Sequence, residues 1–379
     1  MKLLFAAMFL AAASLPAVSA SARAEEGYGD EQQWAMDIDR EISREELASA
    51  AASAETQGTD DPLLELAVRH GITAPDWLTE RISVQGATTV LAALGDSITA
   101  GYATCSNPLY CPANSWAVGT LPTSVRSELS AASGRDVAYL LVAVPGAETA
   151  HMPAQAYAVF LASSFGLNVQ RMTLFIGHND PGVCKMPNGH ETRDFEKDYS
   201  STLKILSHVA RTRRARLFVS SIVDVPALAN YADVIPDGGR KACRELWAKT
   251  GRCAPLLGAG APSDAGARIS AHISELDAVL DRLAAGKDWV RYADIVNASS
   301  RLGLPDPARD LSASDCFHPS AVGQGLLGEM TWRGFGSTPG IASFFAWPKI
   351  EEPVARPSPV LSEGTQAELD AWRAESRRP

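Results

Sequence analysis

The sequence predicts an α/β domain of three layers, a flavodoxin-like central parallel sheet of about five strands with helices on both faces. Two observations carry this. From residue 88 onward, short β-rich runs alternate with longer stretches of helical period. The runs are also apolar along their length, which is what strands covered on both faces require.

The runs are "TTVLAAL" (88–94), "DVAYLLVAV" (136–144), "RMTLFI" (171–176), "ARLFVSSIV" (215–223) and "DWVRYADIV" (288–296). Between the third and fourth, Phe195, Tyr199, Leu203, Leu206 and Val209 recur at helical spacing, with Asp194 as an N-cap. Between the fourth and fifth, Ile269, Ile273, Leu276, Leu280 and Leu283 do the same, and Gly286 supplies a stop. In sheets of this kind, ligands meet the protein beyond the carboxyl ends of the strands.

The flanks differ. Residues 1–24 have an early lysine, an apolar stretch from Leu3 to Leu15, and small residues before Ala20 and Ala24. This is the layout of a secretory signal peptide, and cleavage after either alanine fits. The stretch is short for a membrane span. The mature chain is therefore expected to be secreted or periplasmic, with no transmembrane segment. Residues 25–85 read as an acidic helical N-terminal extension, 86–346 as the α/β domain, and 347–379 as a Pro-rich, weakly helical tail.

A hydrophobic fraction of 46% is ample for a core. The net charge of -10 is dispersed, and the chain has no basic stripe, which argues against nucleic acid as a partner. The short "RTRRAR" (Arg211–Arg216) reads as a solvated helix end, and "NAS" at Asn297 fits a glycosylation acceptor pattern. Six cysteines, with no C-x-x-C pair and no histidine at ligand spacing, point to disulfides rather than to a metal. About 15 full pairings are open. Short spacing suggests Cys105 with Cys111 and Cys243 with Cys253, which leaves Cys184 with Cys316.

In "VLAALGDSITAGY" the first strand ends in Gly95, Asp96 and Ser97. A strand-to-helix turn there exposes the serine and aims backbone N–H groups into the cleft. A serine is a weak nucleophile until a base takes its proton. "SDCFHPS" places Asp315 and His318 three residues apart, so one turn delivers a base and the carboxylate that orients it. The second run ends in "VAVPGAETA", with Gly146, and the third in "FIGHNDPG", with Asn179. A glycine N–H and an asparagine amide are suitable donors to an oxyanion. Two rival serine enzymes fit poorly. The chain has no G-x-S-x-G elbow, and its S-x-x-K match (Ser201–Lys204) falls inside a periodic helix without the partner motifs.

The blocks "GDSITAG", "VPGA", "IGHND" and "DCFH" resemble those of the SGNH, or GDSL, hydrolase superfamily, in the family's order, across roughly residues 88–335. "AVPGAETAHMPAQA" and "DCFHPSAVGQ" are more similar to the phospholipase B-like branch. The resemblance implies the SGNH hydrolase fold and hydrolysis of carboxylic esters through an acyl-enzyme, with no cofactor. It implies Ser97 as nucleophile and His318 as base, with Asp315 orienting it. The Ser97 N–H, the Gly146 N–H and the Asn179 amide would form the oxyanion hole. The implied substrate is a small-molecule or lipid ester, such as a (lyso)phospholipid, met in transient contact with a lipid surface. A short-chain or glycan acetyl ester is the alternative. A non-catalytic lipid- or glycan-binding protein is the reading from another class, and the presence of all four polar residues weighs against it. The chain departs from that branch at His178, where glycine is common, and at Val144-Pro145 before Gly146.

Overall fold

The computed structural model describes residues 82–83, 89–105, 111–164, 167–185, 192–251, 253–258 and 260–346. The expected signal peptide (1–24), the 25–85 extension apart from residues 82 and 83, and the tail from 347 lie outside them.

A six-stranded sheet forms the centre. Its strands are β1 (Ile82–Ser83), β2 (Thr89–Gly95), β3 (Val137–Leu141), β4 (Val169–Phe175), β5 (Arg216–Ser220) and β6 (Val290–Ala293), in the order β1-β3-β2-β4-β5-β6. Strands β2 to β6 are parallel, as the five apolar runs predict, and β1 adds antiparallel to β3 at one edge. Within the parallel part of the sheet the chain starts at β2, steps to β3, then crosses back over β2 to β4. The two neighbours of β2 are thus reached in opposite directions, which opens a crevice at its carboxyl end.

The main helices are α1 (Val125–Ser133), α2 (Met152–Ser164), α3 (Thr192–Arg213), α4 (Cys243–Thr250), α5 (Ala265–Ala284), α6 (Ile295–Leu302) and α7 (Ala321–Arg333). Helices α2, α3 and α5 pack together in one layer, and α1, α6 and α7 in another. All seven residues of β2 are buried. Val90, Ala92 and Leu94 join the core that also holds Tyr157 of α2, Leu203 and Leu206 of α3, and Ile273 and Leu276 of α5. Each fully buried leucine of this set contributes about 1.5–3 kcal/mol. The predicted helical stripes are therefore the core-facing ones. Asp194 stands in the first turn of α3 rather than at its cap, and α5 closes at Ala284, with Gly286 two residues on at φ +75°.

Two readings of surface features change. Asn297 is buried, and its amide donates to Asp277 at 2.9 Å, so in the folded chain it is not presented as a glycan acceptor. Arg211–Arg216 is not simply a solvated helix end. Arg213 donates to Ser163 Oγ at 3.2 Å, and Arg216 donates to the Phe344 carbonyl and lies 5.4 Å from that ring's centroid. Ser201 Oγ donates to Lys197 O within α3, in keeping with a plain helix surface.

Between β5 and α5 the chain makes an excursion, residues 221–264, that carries α4 and a short helical turn, Ala254–Leu257.

Candidate active site

The turn after β2 is built around Gly95. Its φ is +151°, and a Cβ there would lie 2.4 Å from the Phe175 carbonyl oxygen, so only glycine fits. Asp96 Oδ1 accepts from the Ile98 N–H at 3.0 Å, an Asx turn that leaves Ser97 at the mouth of the crevice. Two glutamines hold this turn. Gln155 of α2 accepts from the Gly95 N–H and donates to the Gly95 carbonyl, both at 2.8 Å. Gln324 of α7 donates to Ile98 O at 2.8 Å and accepts from the Trp116 N–H at 2.9 Å.

The second turn arrives from the loop before α7. Asp315 Oδ1 accepts from the Phe317 and His318 N–H groups at 3.0 and 3.1 Å. Asp315 Oδ2 lies 2.6 Å from His318 Nδ1, and His318 Nε2 lies 2.8 Å from Ser97 Oγ. All three side chains are buried. Burial alone would raise the Asp315 carboxyl. The charge of His318 and three hydrogen bonds outweigh it and hold the group at about 2. An ionised Asp315 accepts a hydrogen bond from Nδ1–H and so keeps the proton on Nδ1, which leaves Nε2 free to accept from the serine hydroxyl. The Tyr102 ring sits 4.6 Å from the imidazole and Phe317 sits 5.2 Å away, centroid to centroid. Trp116 is fully buried core, edge-on to Phe175.

The Ala147 N–H bonds to Val144 O at 3.0 Å and closes a turn with Pro145 and Gly146 at its corners. Gly146 has φ +81°, the type II pattern that asks for Pro then Gly. This explains the Val144-Pro145 departure. Among the described residues, neither the Gly146 N–H nor the Ser97 N–H has a hydrogen-bond acceptor. The Asn179 amide nitrogen lies 3.1 Å from Ala147 O and 3.3 Å from Asp96 Oδ2. Asp96 thus links the serine turn to Asn179. Its carboxyl is raised to about 8, first by burial. His178, next to Asn179, is buried against Phe175 with Nε2 3.4 Å from the same Asp96 oxygen. Burial, then the nearby His318, lowers His178 to about 3, so it is neutral at ordinary pH.

The cysteines pair differently from the short-spacing expectation. Cys184 bonds Cys253, and Cys243 bonds Cys316, with Cα separations of 4.3 and 5.2 Å. Cys105 and Cys111 take part in neither bond, Cys111 being buried and Cys105 exposed. The segment from Cys243 to Cys253 is not an open loop. Its first eight residues are α4, which runs on the order of 10 Å from Cys243 to Thr250, so a rigid helix fills most of the segment that short spacing would have closed as a loop. Cys184 and Cys316 are each bonded to this excursion instead of to one another.

The structure thus brings Ser97, His318 and Asp315 into one chain of contacts, and Asn179 to the same turn through Asp96. Sequence reasoning missed Gln155, Gln324 and Asp96. The available signal was a glutamine inside a helix that is otherwise apolar, as in "MPAQAYAVF". Among the described residues, no group of three or more His, Cys, Asp or Glu side chains could hold a metal.

A parallel three-layer α/β domain, with serine, imidazole and carboxylate in line at the crevice beside its first parallel strand, defines the hydrolase class of this architecture. The model of the GDSL-like lipase/acylhydrolase family matches residues 93–326, more than half of the chain. The chain belongs to that family. Comparison with curated proteins gives no match. Similar solved structures include an extracellular lipase from Streptomyces rimosus, 19% identical, covering 64% of this chain and 98% of that one, TM-score 0.36. A phospholipase A1 from Streptomyces albidoflavus is 19% identical, with 64% and 97% covered, TM-score 0.34. A variant of an acetyl-xylooligosaccharide esterase from Geobacillus stearmophilus is 18% identical, with 66% and 96% covered, TM-score 0.39. Among the described residues, no helix is long and apolar enough to cross a membrane.

Proposed function

We propose that the protein is an exported serine ester hydrolase of the phospholipase B-like branch that cleaves lipid or (lyso)phospholipid esters through an acyl-enzyme. The observation that carries this is the continuous contact chain Asp315–His318–Ser97, at 2.6 and 2.8 Å. In this reading Ser97 Oγ attacks the ester carbonyl carbon while its proton passes to His318 Nε2. The carbonyl electron pair moves onto oxygen, where the Ser97 and Gly146 N–H groups and the Asn179 amide receive it. Collapse breaks the carbon–oxygen bond, and the alcohol leaves with the proton from Nε2. Water then repeats the cycle on the acyl-serine, and the acid departs. Asp315 stays ionised throughout and stabilises the imidazolium. The apolar rings of Tyr102 and Phe317 beside the imidazole are consistent with an acyl chain.

The test uses the purified mature chain. It should release acid from lysophosphatidylcholine faster than from acetylated xylose, and Ser97→Ala should abolish both activities. Preference for acetylated xylose would instead make it a glycan acetylesterase. No turnover of these esters, or of a short p-nitrophenyl ester, would favour a binding protein.

A further inference from the structure

The turn that carries Asp315 and His318 contains a residue in an unfavourable conformation. Cys316, between them in sequence, has φ +50°, in the left-handed region that a side chain with a Cβ seldom adopts. Within the turn, Asp315 Oδ1 gathers two N–H groups, and the Cys316 N–H reaches Ser312 O at 2.8 Å. The remaining attachments of Cys316 come from one helix outside the turn. Its sulfur is bonded to Cys243, the first residue of α4. Its carbonyl accepts from Trp247 Nε1 at 2.9 Å. Cys243 and Trp247 are four residues apart, so they share one face of α4, and both are buried in a small cluster with Leu246, Leu311 and Cys316. Just past the far end of the same helix, Cys253 is bonded to Cys184, on the segment that follows Asn179.

We propose that α4 is a positioning clamp for the imidazole: Cys243 and Trp247 hold Cys316 in the left-handed conformation from which Asp315 and His318 reach Ser97. This rests on the reading of Ser97, His318 and Asp315 given above. Neither Cys243 nor Trp247 touches the reacting atoms. Their effect on rate is through the placement of His318, and displacement of a catalytic group by about 1 Å costs on the order of 100-fold.

The test compares Cys243→Ser/Cys316→Ser, Cys243→Ser/Cys316→Gly and Trp247→Phe in the full mature chain. The readouts are kcat and KM on a short p-nitrophenyl ester, well below the melting temperature of each variant. Glycine accepts φ +50° without strain. The Ser/Ser variant should lose about 10- to 100-fold in kcat with KM within about twofold. The Ser/Gly variant should recover severalfold in kcat over Ser/Ser although it lacks the same disulfide. Trp247→Phe keeps a six-membered aromatic ring and loses the pyrrole ring with its N–H, and it should lower kcat about three- to tenfold. A disulfide that merely stabilised the fold would leave Ser/Gly no faster than Ser/Ser. That result, or a wild-type kcat in the folded Ser/Ser variant, would overturn the clamp. Should Ser/Ser fail to fold, Trp247→Phe decides, and unchanged kcat there overturns it. Ser97→Ala runs alongside. An inactive Ser97→Ala with unaffected clamp variants refutes the clamp alone, whereas an active Ser97→Ala refutes the site reading and the clamp with it.

Discussion

Replacing Asp315 by asparagine removes one charge and keeps the shape of the turn. The His318 charge and three hydrogen bonds hold the Asp315 carboxyl at about 2, against 3.8 for an ordinary aspartate, even though burial opposes them. At about 1.36 kcal/mol per tenfold, that difference is roughly 2 kcal/mol. Losing an interaction of that size slows the chemistry roughly 30-fold. A second loss follows from the hydrogen bond. An asparagine amide that donates to His318 Nδ1 fixes the wrong tautomer, and losses of about 10⁴ arise that way. Asp315→Asn should therefore lower kcat by about 30- to 10,000-fold, with KM little changed. The assay is steady-state hydrolysis of a p-nitrophenyl ester by protein whose far-UV circular dichroism matches wild type, with Ser97→Ala as the blank. The carboxylate would have no such role if Asp315→Asn ran within twofold of wild type. A loss larger than that of His318→Ala would contradict the order of the chain.

Asn179→Ala should lower kcat about 100- to 1000-fold, the usual loss for one oxyanion donor, and a change confined to KM would assign Asn179 to substrate binding. Gln324→Ala strands the buried Trp116 N–H and removes one of two donors from the Ile98 carbonyl, which keeps the Gly101 N–H. It should cost about 1–3 kcal/mol, seen as a Tm lower by roughly 2–12 °C, and an unchanged Tm would refute that accounting. Stability should fall as pH rises from about 6.5 to 8.5. Asp96 and Asp277, raised by burial to about 8 and about 7, keep their protons in the folded chain but lose them on unfolding, so rising pH removes what favours the folded form. His178, held to about 3, is neutral folded and unfolded in most of this window. A Tm higher at pH 8.5 than at pH 6.5, at equal ionic strength, would contradict these protonation states. Activity should survive EDTA, and loss restored by zinc or calcium would require a metal-dependent step.

The sheet was legible because a strand covered on both faces leaves a run such as "TTVLAAL", which tolerates little else. Ser97 and Asn179 stood out as polar residues just past strand ends, and Asp315 and His318 as an acid and a base three residues apart. The glutamines were harder to see. Gln155 and Gln324 act by satisfying backbone groups that exist only once the Gly95 turn has formed, so nothing in their own segments names the partner. The disulfides failed for a different reason. Spacing suggested that Cys243 and Cys253 close a loop, but "CRELWAKTG" is a helix ended by a left-handed Gly251, and a helix is a spacer. Asp96 and His178 belong to the same kind of information. Adjacent strand ends place them beside one another, and their sequence neighbours do not reveal it.

The two disulfides also interleave. Along the chain the bonded cysteines run 184, 243, 253, 316, and the first joins the third while the second joins the fourth. A polypeptide that enters an oxidising compartment amino-terminus first presents Cys184 and Cys243 to one another before either native partner has emerged. Cys105 and Cys111 arrive earlier still and add two more competitors. Bonds made in order of arrival would be the wrong ones, and each must be attacked again by a thiolate before the native set can close. The yield of active protein from a recombinant host would then depend less on how strongly oxidising the compartment is than on how well it reshuffles, so a disulfide isomerase should raise yield where an oxidase alone does not.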